Sequence, residues 1–207
     1  MRKRNNQAGF KSGNNNKSLI VIPIIITLSF SIFPLVNNNN YNVFAKSLYC
    51  NGSEFTDDGE SDFDVIVGTS NFDTTDCLIG TNDEDVIMGL DGEDFIKGKR
   101  GDDLLQGGFQ NDRIFGDHGD DNVQGGPGQD HIYGKHGDDI LFAGFDADFV
   151  VGGSGNDEIY GDFGDDILEG GSGADYFDCG DDSDVILDFD SSEGDTHANN
   201  CEEIRED

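Results

Sequence analysis

GGPGQDHIY at residues 125–133 and GGSGNDEIY at residues 152–160 are variants of one nine-residue phrase, set a whole number of phrases apart. Extending that phase outward divides residues 80–187 into twelve blocks of nine without an insertion, beginning GTNDEDVIM, GLDGEDFIK, GKRGDDLLQ and GGFQNDRIF. The sixth position is aspartate in every block: Asp85, Asp94, Asp103, Asp112, Asp121, Asp130, Asp139, Asp148, Asp157, Asp166, Asp175 and Asp184. The eighth is always apolar, from Ile87 and Ile96 through to Phe177 and Ile186. The first is glycine except at Ala143 and Cys179, and the fourth is glycine in eight blocks. A short period held over this length marks a stacked-repeat architecture, in which each unit buries its apolar face against its neighbours.

Within a block the last three residues alternate outward, inward, outward as a short strand does, which turns the eighth side chain into the structure. The six preceding residues must then reverse the chain, and glycine there permits the positive backbone dihedrals of tight turns. Asp76-Cys77-Leu78 and Asp64-Val65-Ile66 continue the pattern upstream as degenerate blocks, twelve rather than nine residues apart, so the join contains three extra residues.

These blocks resemble the RTX, or haemolysin-type, calcium-binding nonapeptide G-G-x-G-x-D-x-U-x. The resemblance implies an all-β fold, a right-handed parallel β-roll or β-solenoid in which two blocks make one coil. Twelve blocks give about six coils, with odd blocks in one sheet and even blocks in the other, rising roughly 4.8 Å per coil. Aspartates eighteen residues apart then stack in two columns, one running from Asp85 to Asp175 and the other from Asp94 to Asp184. Two unit charges at that spacing repel by about 3.5 kcal/mol at an effective dielectric of about 20, so each column needs cations between its members. Calcium suits the gap because it accepts six to eight oxygens in flexible geometry, whereas magnesium demands a tight octahedron and keeps its waters. The family holds each ion between turns of adjacent coils with sixth-position carboxylates and turn carbonyls, which implies about ten Ca2+ if every gap fills. Asp83, Gln110, Asp146 and Asp182 replace the fourth-position glycine, and Ala143 and Cys179 the first, so gaps beside them are expected to bind weakest. The fifth-position acids Glu84, Glu93, Asp102, Asp120, Asp138 and Asp165 are expected in solvent, adding negative field rather than ligands.

The charge balance agrees. The chain has 207 residues, with 44 Asp plus Glu against 12 Lys plus Arg, a formal charge of −32 and only 34% hydrophobic residues. A surface this negative excludes nucleic acid as a partner. Such a composition leaves a chain disordered unless an external cation supplies the missing cohesion. Twelve inward apolar side chains contribute far less than the ordering of 108 backbones costs, so the repeat is expected to stay expanded without calcium and to fold with it.

Acidic residues are absent from the first 45 positions, where Arg2, Lys3, Arg4, Lys11 and Lys17 precede an apolar stretch from Leu19 to Val36 and then Val43-Phe44-Ala45. This reads as a secretory signal peptide cleaved after Ala45, with an uncleaved membrane anchor as the alternative. Beyond it lie 44 acidic and 7 basic residues, an excess of 37 negative charges. The domain organisation is therefore a leader over 1–45, an N-terminal cap over 46–79, the repeats over 80–187 and a C-terminal cap over 188–207. Both products place the acidic part outside the cell, where disulfides form. Cys50, Cys77, Cys179 and Cys201 favour nearest-neighbour pairing, because each bond would then staple one end. A zinc site would want closer spacings. The C-terminal stretch from Ala174 to Glu203 resembles the ending of small secreted calcium-binding RTX proteins, which implies a Cys179–Cys201 disulfide.

Among competing functions, an enzyme lacks room and motif: neither HExxH nor GxSxG occurs. An EF-hand sensor and a threonine-array ice binder lack their patterns. The expectation is a secreted, non-catalytic calcium-binding β-roll, with a calcium-stiffened adhesive or structural surface module, or an accessory subunit of a secreted enzyme, as alternatives. Phe95, Phe115, Tyr133, Phe149, Val151, Ile167, Val185 and Leu187 fall on the outer face of the even sheet, a candidate docking face for a cell-surface protein or glycan. His118 and His136 would stack eighteen residues apart, and Asn51-Gly52-Ser53 is a glycosylation sequon.

Overall fold

The computed structural model describes residues 42–45, 64–70 and 75–206, all within the unit Asn37–Asp207. Most of the expected leader, the sequon and Cys50 lie outside the described residues. Among the described residues every regular element is a strand, and no helix is long and apolar enough to cross a membrane.

Strands β1 (Asn42–Ala45), β2 (Asp64–Val67) and β3 (Cys77–Ile79) precede the repeat, β4 (Asp85–Asp91) to β15 (Val185–Phe189) arise from its twelve blocks, and β16 (Thr196–His197) and β17 (Glu203–Glu206) follow it. All pairings between them are parallel. One sheet of nine strands runs through β1, β2 and every even-numbered strand to β16, and a second of eight runs through the odd-numbered strands from β3 to β17. Odd and even blocks thus separate into two sheets, and residues eighteen apart are partners, as Phe115 with Tyr133 and Val150 with Leu168. This is a β-solenoid of about eight coils rather than six. The added coils come from the segments expected as caps and, through β1, from the last four residues of the expected leader. Asp64 pairs with Asp85, absorbing the three extra residues, while Tyr176 pairs with Thr196 and Val185 with Glu203.

The division of each block into strand and turn also differs from expectation. Strands such as β7 (Arg113–His118) and β9 (His131–His136) are six residues long and run from the seventh position of one block through the third of the next. The turn is left with only three residues. Two residues per strand are buried, at the eighth and first positions. The first-position residue therefore faces the core as part of the strand, and its small size is what lets the strand continue past the apolar eighth residue.

The core is a single column of side chains between the sheets. Ile87, Ile96, Leu105, Ile114, Val123, Ile132, Leu141, Val150, Ile159, Leu168, Phe177 and Ile186 are fully buried, and Ile66, Leu78 and Phe189 extend the column beyond the blocks. Ala143 and Cys179, the two non-glycine first positions, lie wholly inside it. Cys179 is bonded to Cys201, which ties the last coil to the segment leading into β17. Cys77 is also disulfide-bonded, and its expected partner Cys50 is outside the described residues.

Candidate metal centre

The sixth-position aspartates are buried at both turn edges of the roll, each at 1–3% exposure. They form two ladders. The backbone N–H of Asp85 donates to the Asp103 carboxylate Oδ1 at 2.8 Å, that of Asp103 to Asp121, and so on to Asp175. The second ladder repeats this from Asp94 to Asp184. Each bond joins one coil to the next, so the aspartate holds the stack together.

One oxygen of each carboxylate is thereby used and the other is not. Oδ2 of Asp94, Asp103, Asp112, Asp121, Asp130, Asp139, Asp148, Asp157, Asp166, Asp175 and Asp184 is buried without a hydrogen-bond partner. A buried polar atom left unpaired costs on the order of 1–3 kcal/mol, and more when charged. The ladder ends differ. Asp85 Oδ2 accepts the Thr81 N–H at 2.6 Å, and Asp195 accepts from Asp175 through Oδ1 and from Asp190 through Oδ2. Protein groups thus close the two ends of the first column, at Asp85 and Asp195, while in the second Asp184 Oδ2, like the interior carboxylates, faces a gap.

That gap is lined by oxygen. A Cβ placed on Gly125 would lie 2.5 Å from both Asp130 Oδ2 and the carbonyl oxygen of Ala143 in the next coil, and the other first-position glycines have the same surroundings except Gly170, where the Phe177 ring takes the place of the carbonyl. A Cβ on Gly119 would strike the Gly101 carbonyl oxygen, and one on Gly137 that of Gly119, so fourth-position carbonyls point along the column into the neighbouring turn. Gln110, Asp146 and Asp182 hold positive φ values of 79°, 79° and 84°, preserving the turn where glycine is replaced. Asp83 is outside that set. Among the described residues no three carboxylate, imidazole or thiolate side chains converge on one point. A cation here would be held by one or two carboxylates completed with backbone carbonyls, a ligand set that suits calcium and offers little to softer metals.

Electrostatics point the same way. Burial pushes the carboxyls of Asp103, Asp112 and Asp148 up to about 8. Those of Asp121, Asp130, Asp157 and Asp166 rise to about 7, and those of Asp94, Asp139, Asp175 and Asp184 to about 6. Lost hydration is the leading cause, the ladder N–H opposes it, and neighbouring carboxylates add to the rise. Asp85, with its extra bonds to Thr81, is raised as well. The metal-free ladder thus favours protons on its carboxylates, which is the behaviour of charges lacking their counter-ion.

The fifth-position acids are exposed, as expected, yet Asp102, Asp120, Asp138 and Asp165 each accept a backbone N–H from the next coil. Asp102 Oδ1 accepts the Asp120 N–H at 3.0 Å, Asp120 that of Asp138, and Asp138 that of Asn156. This outer ladder runs in the opposite sense to the inner one. The sequence reading missed it, and also missed Glu202, whose Oε2 accepts the Asp184 N–H at 3.2 Å. The signal was present: Glu202 and Ile204 keep the eighteen-residue phase with Asp184 and Ile186. His118 and His136 do stack, with ring centroids 4.6 Å apart.

Two columns of buried carboxylates, open to oxygen-lined gaps between their members, define a cation-demanding parallel β-roll. The family model for the RTX calcium-binding nonapeptide repeat matches in four copies, at residues 79–114, 88–121, 115–150 and 151–186. The chain belongs to that family and carries its calcium-binding repeats. No curated protein matches the chain.

Proposed function

We propose that this chain is a secreted, non-catalytic calcium-binding protein whose roll forms when Ca2+ enters the gaps between stacked turns. The observation that carries the reading is the row of eleven buried, unpartnered Oδ2 atoms. The twelve sixth-position aspartates supply the carboxylate ligands and the turn carbonyls the rest, for about ten ions. Gaps beside Gln110, Asp146 and Asp182 bind weakest, because a non-glycine residue there holds a positive φ. The Cys179–Cys201 bond supports an extracellular setting. A second reading, a calcium-stiffened adhesive or structural surface module, is favoured by the ring contacts that run across the even-block sheet from Phe95 through Phe115 and Tyr133 to Phe149. Equilibrium dialysis of the secreted protein against calcium tests the stoichiometry: about ten bound ions support the two filled columns, and two or fewer contradict them.

A further inference from the structure

Seven Lys and Arg residues follow Ala45, and five of them, Lys97, Lys99, Arg100, Arg113 and Lys135, stand on three adjacent strands of one sheet: β5 (Phe95–Arg100), β7 and β9. Three of the four histidines, His118, His131 and His136, share these strands. None of these eight side chains belongs to the core; Arg100, Arg113, Lys135 and the histidines are exposed, and Lys97 and Lys99 are half-buried. The one described ion pair on the face joins Lys97 to Asp117 at 2.8 Å, and Asp117 is the only acidic residue within the three strands. The face therefore carries four uncompensated positive charges on a chain whose remainder is strongly negative. At physiological ionic strength fields fade over about 8 Å, so a ligand lying on the face meets these charges more than the acidic turns.

The patch is also aromatic. Phe115 and Tyr133 stack with centroids 5.0 Å apart, Phe95 leans on Phe115, and Lys135 Nζ lies 4.8 Å from the Tyr133 ring. Beside it is a shallow pocket in which Phe95, Arg113 and His131 meet the polar side chains of Thr75, Asn111 and Gln129. Glu93 and the ladder residues Asp94 and Asp112 border it on the turn side. Cations, ring surfaces and neutral amides together suit a ligand with carboxylates, apolar ring faces and hydroxyls. Lys99 and Lys135 flank Asp117 in one cross-strand row and Arg113 stands in another, so the charges are spread over three coils and a ligand that meets them all is an extended chain crossing β5, β7 and β9. A polyphosphate lacks the ring, and an acidic peptide lacks the density of hydroxyls that the amides and Thr75 would meet.

We propose that the β5–β7–β9 face is a docking surface for a carboxylate-bearing polysaccharide, a polyuronate. The proposal rests on the calcium reading, since the face exists only when the roll is folded. The test titrates the secreted protein, in millimolar calcium, into a fluorescently labelled oligogalacturonate short enough to stay soluble, and reads anisotropy. Saturable binding is expected, weakened at least tenfold by methyl esterification of the sugar. The same loss is expected in an Arg113→Glu/Lys135→Glu variant and in a separate Lys99→Glu/Arg100→Glu variant, each with the wild-type circular dichroism in calcium. No binding by a folded roll, equal binding of the esterified sugar, or unchanged binding by the folded variants overturns the proposal. Tighter binding of oligothymidylate or polyglutamate also overturns it and assigns the face to another polyanion. Absence of the β spectrum in calcium would instead overturn the calcium reading beneath it.

Discussion

The backbone N–H of Asp103 donates to Oδ1 of Asp121 at 2.8 Å, and Oδ2 of the same Asp121 carboxylate is buried without a partner. One side chain thus has two separable tasks, joining adjacent coils and presenting a negative oxygen to the gap between them. Asp121→Asn keeps an acceptor for the Asp103 N–H and removes the charge. It should reduce bound calcium by one or two ions, measured by equilibrium dialysis, and leave the roll foldable in excess calcium. Asp121→Ala should also leave that N–H unpaired, at a further cost of about 1–3 kcal/mol in the calcium-loaded thermal melt.

Glycine at the first position answers to space rather than dihedral freedom. A Cβ on Gly125 would sit 2.5 Å from Ala143 O and from Asp130 Oδ2, and neither a strand carbonyl nor a ladder carboxylate can retreat without breaking a coil-to-coil contact. Gly125→Ala should therefore destabilise the calcium-loaded roll by more than about 2 kcal/mol, in the range of overpacked cores. The reverse change, Ala143→Gly, removes one buried methyl group and should cost about 1 kcal/mol. Comparable losses in the two variants would show that the cradle over Gly125 is not tight.

Protons and calcium should compete for the ladder. The folded-state values of about 6 to 8 lie above the ordinary aspartate value of 3.8. Proton uptake therefore stabilises the metal-free roll fully below about pH 4, and that contribution is lost as pH rises through 6 to 8. Calcium requires the deprotonated carboxylate, so its dependence is opposite. In chelator, β content should increase as pH falls from 8 towards 5. In calcium, the midpoint concentration for folding should rise over the same interval. A calcium midpoint constant across that range would contradict the assignment of the buried aspartates as ligands.

The Cys179–Cys201 bond spans 22 residues and fastens the terminal coil. A loop of that size contributes roughly 3 kcal/mol in the chain-entropy model. Cys201→Ser should lower the melting temperature in calcium and increase hydrogen exchange in β15 and β17, while the central coils remain protected. Uniform loss of protection along the roll would mean that the bond supports the whole stack rather than its end.

The sheets, the register and the two aspartate columns were legible because the nine-residue phase sets the equivalent positions and the resemblance to the RTX repeat implies two blocks per coil, which stacks Asp103 on Asp121 rather than on Asp112. The ends were less legible because their signals are sparse. Thr196 pairs with Tyr176 at a spacing of 20, and Glu202 stands where the blocks have aspartate, so neither segment matches the phrase although both add strands. Strand length was misjudged for a physical reason. Glycine at the first position suggests a turn, yet Gly116 and Gly134 are buried strand residues whose missing side chains make room for Asp121 and Asp139. The basic face was hidden because Lys97, Arg113 and Lys135 belong to different blocks, and only the separation of alternate blocks into two sheets brings them together.

The proposed dependence of the fold on calcium is tested most directly by far-ultraviolet circular dichroism of the protein, first in excess chelator and then in millimolar calcium. Eleven buried carboxylate oxygens without partners predict a spectrum with little β structure in chelator and a β-rich spectrum once calcium is added. Identical β-rich spectra in both conditions would contradict it.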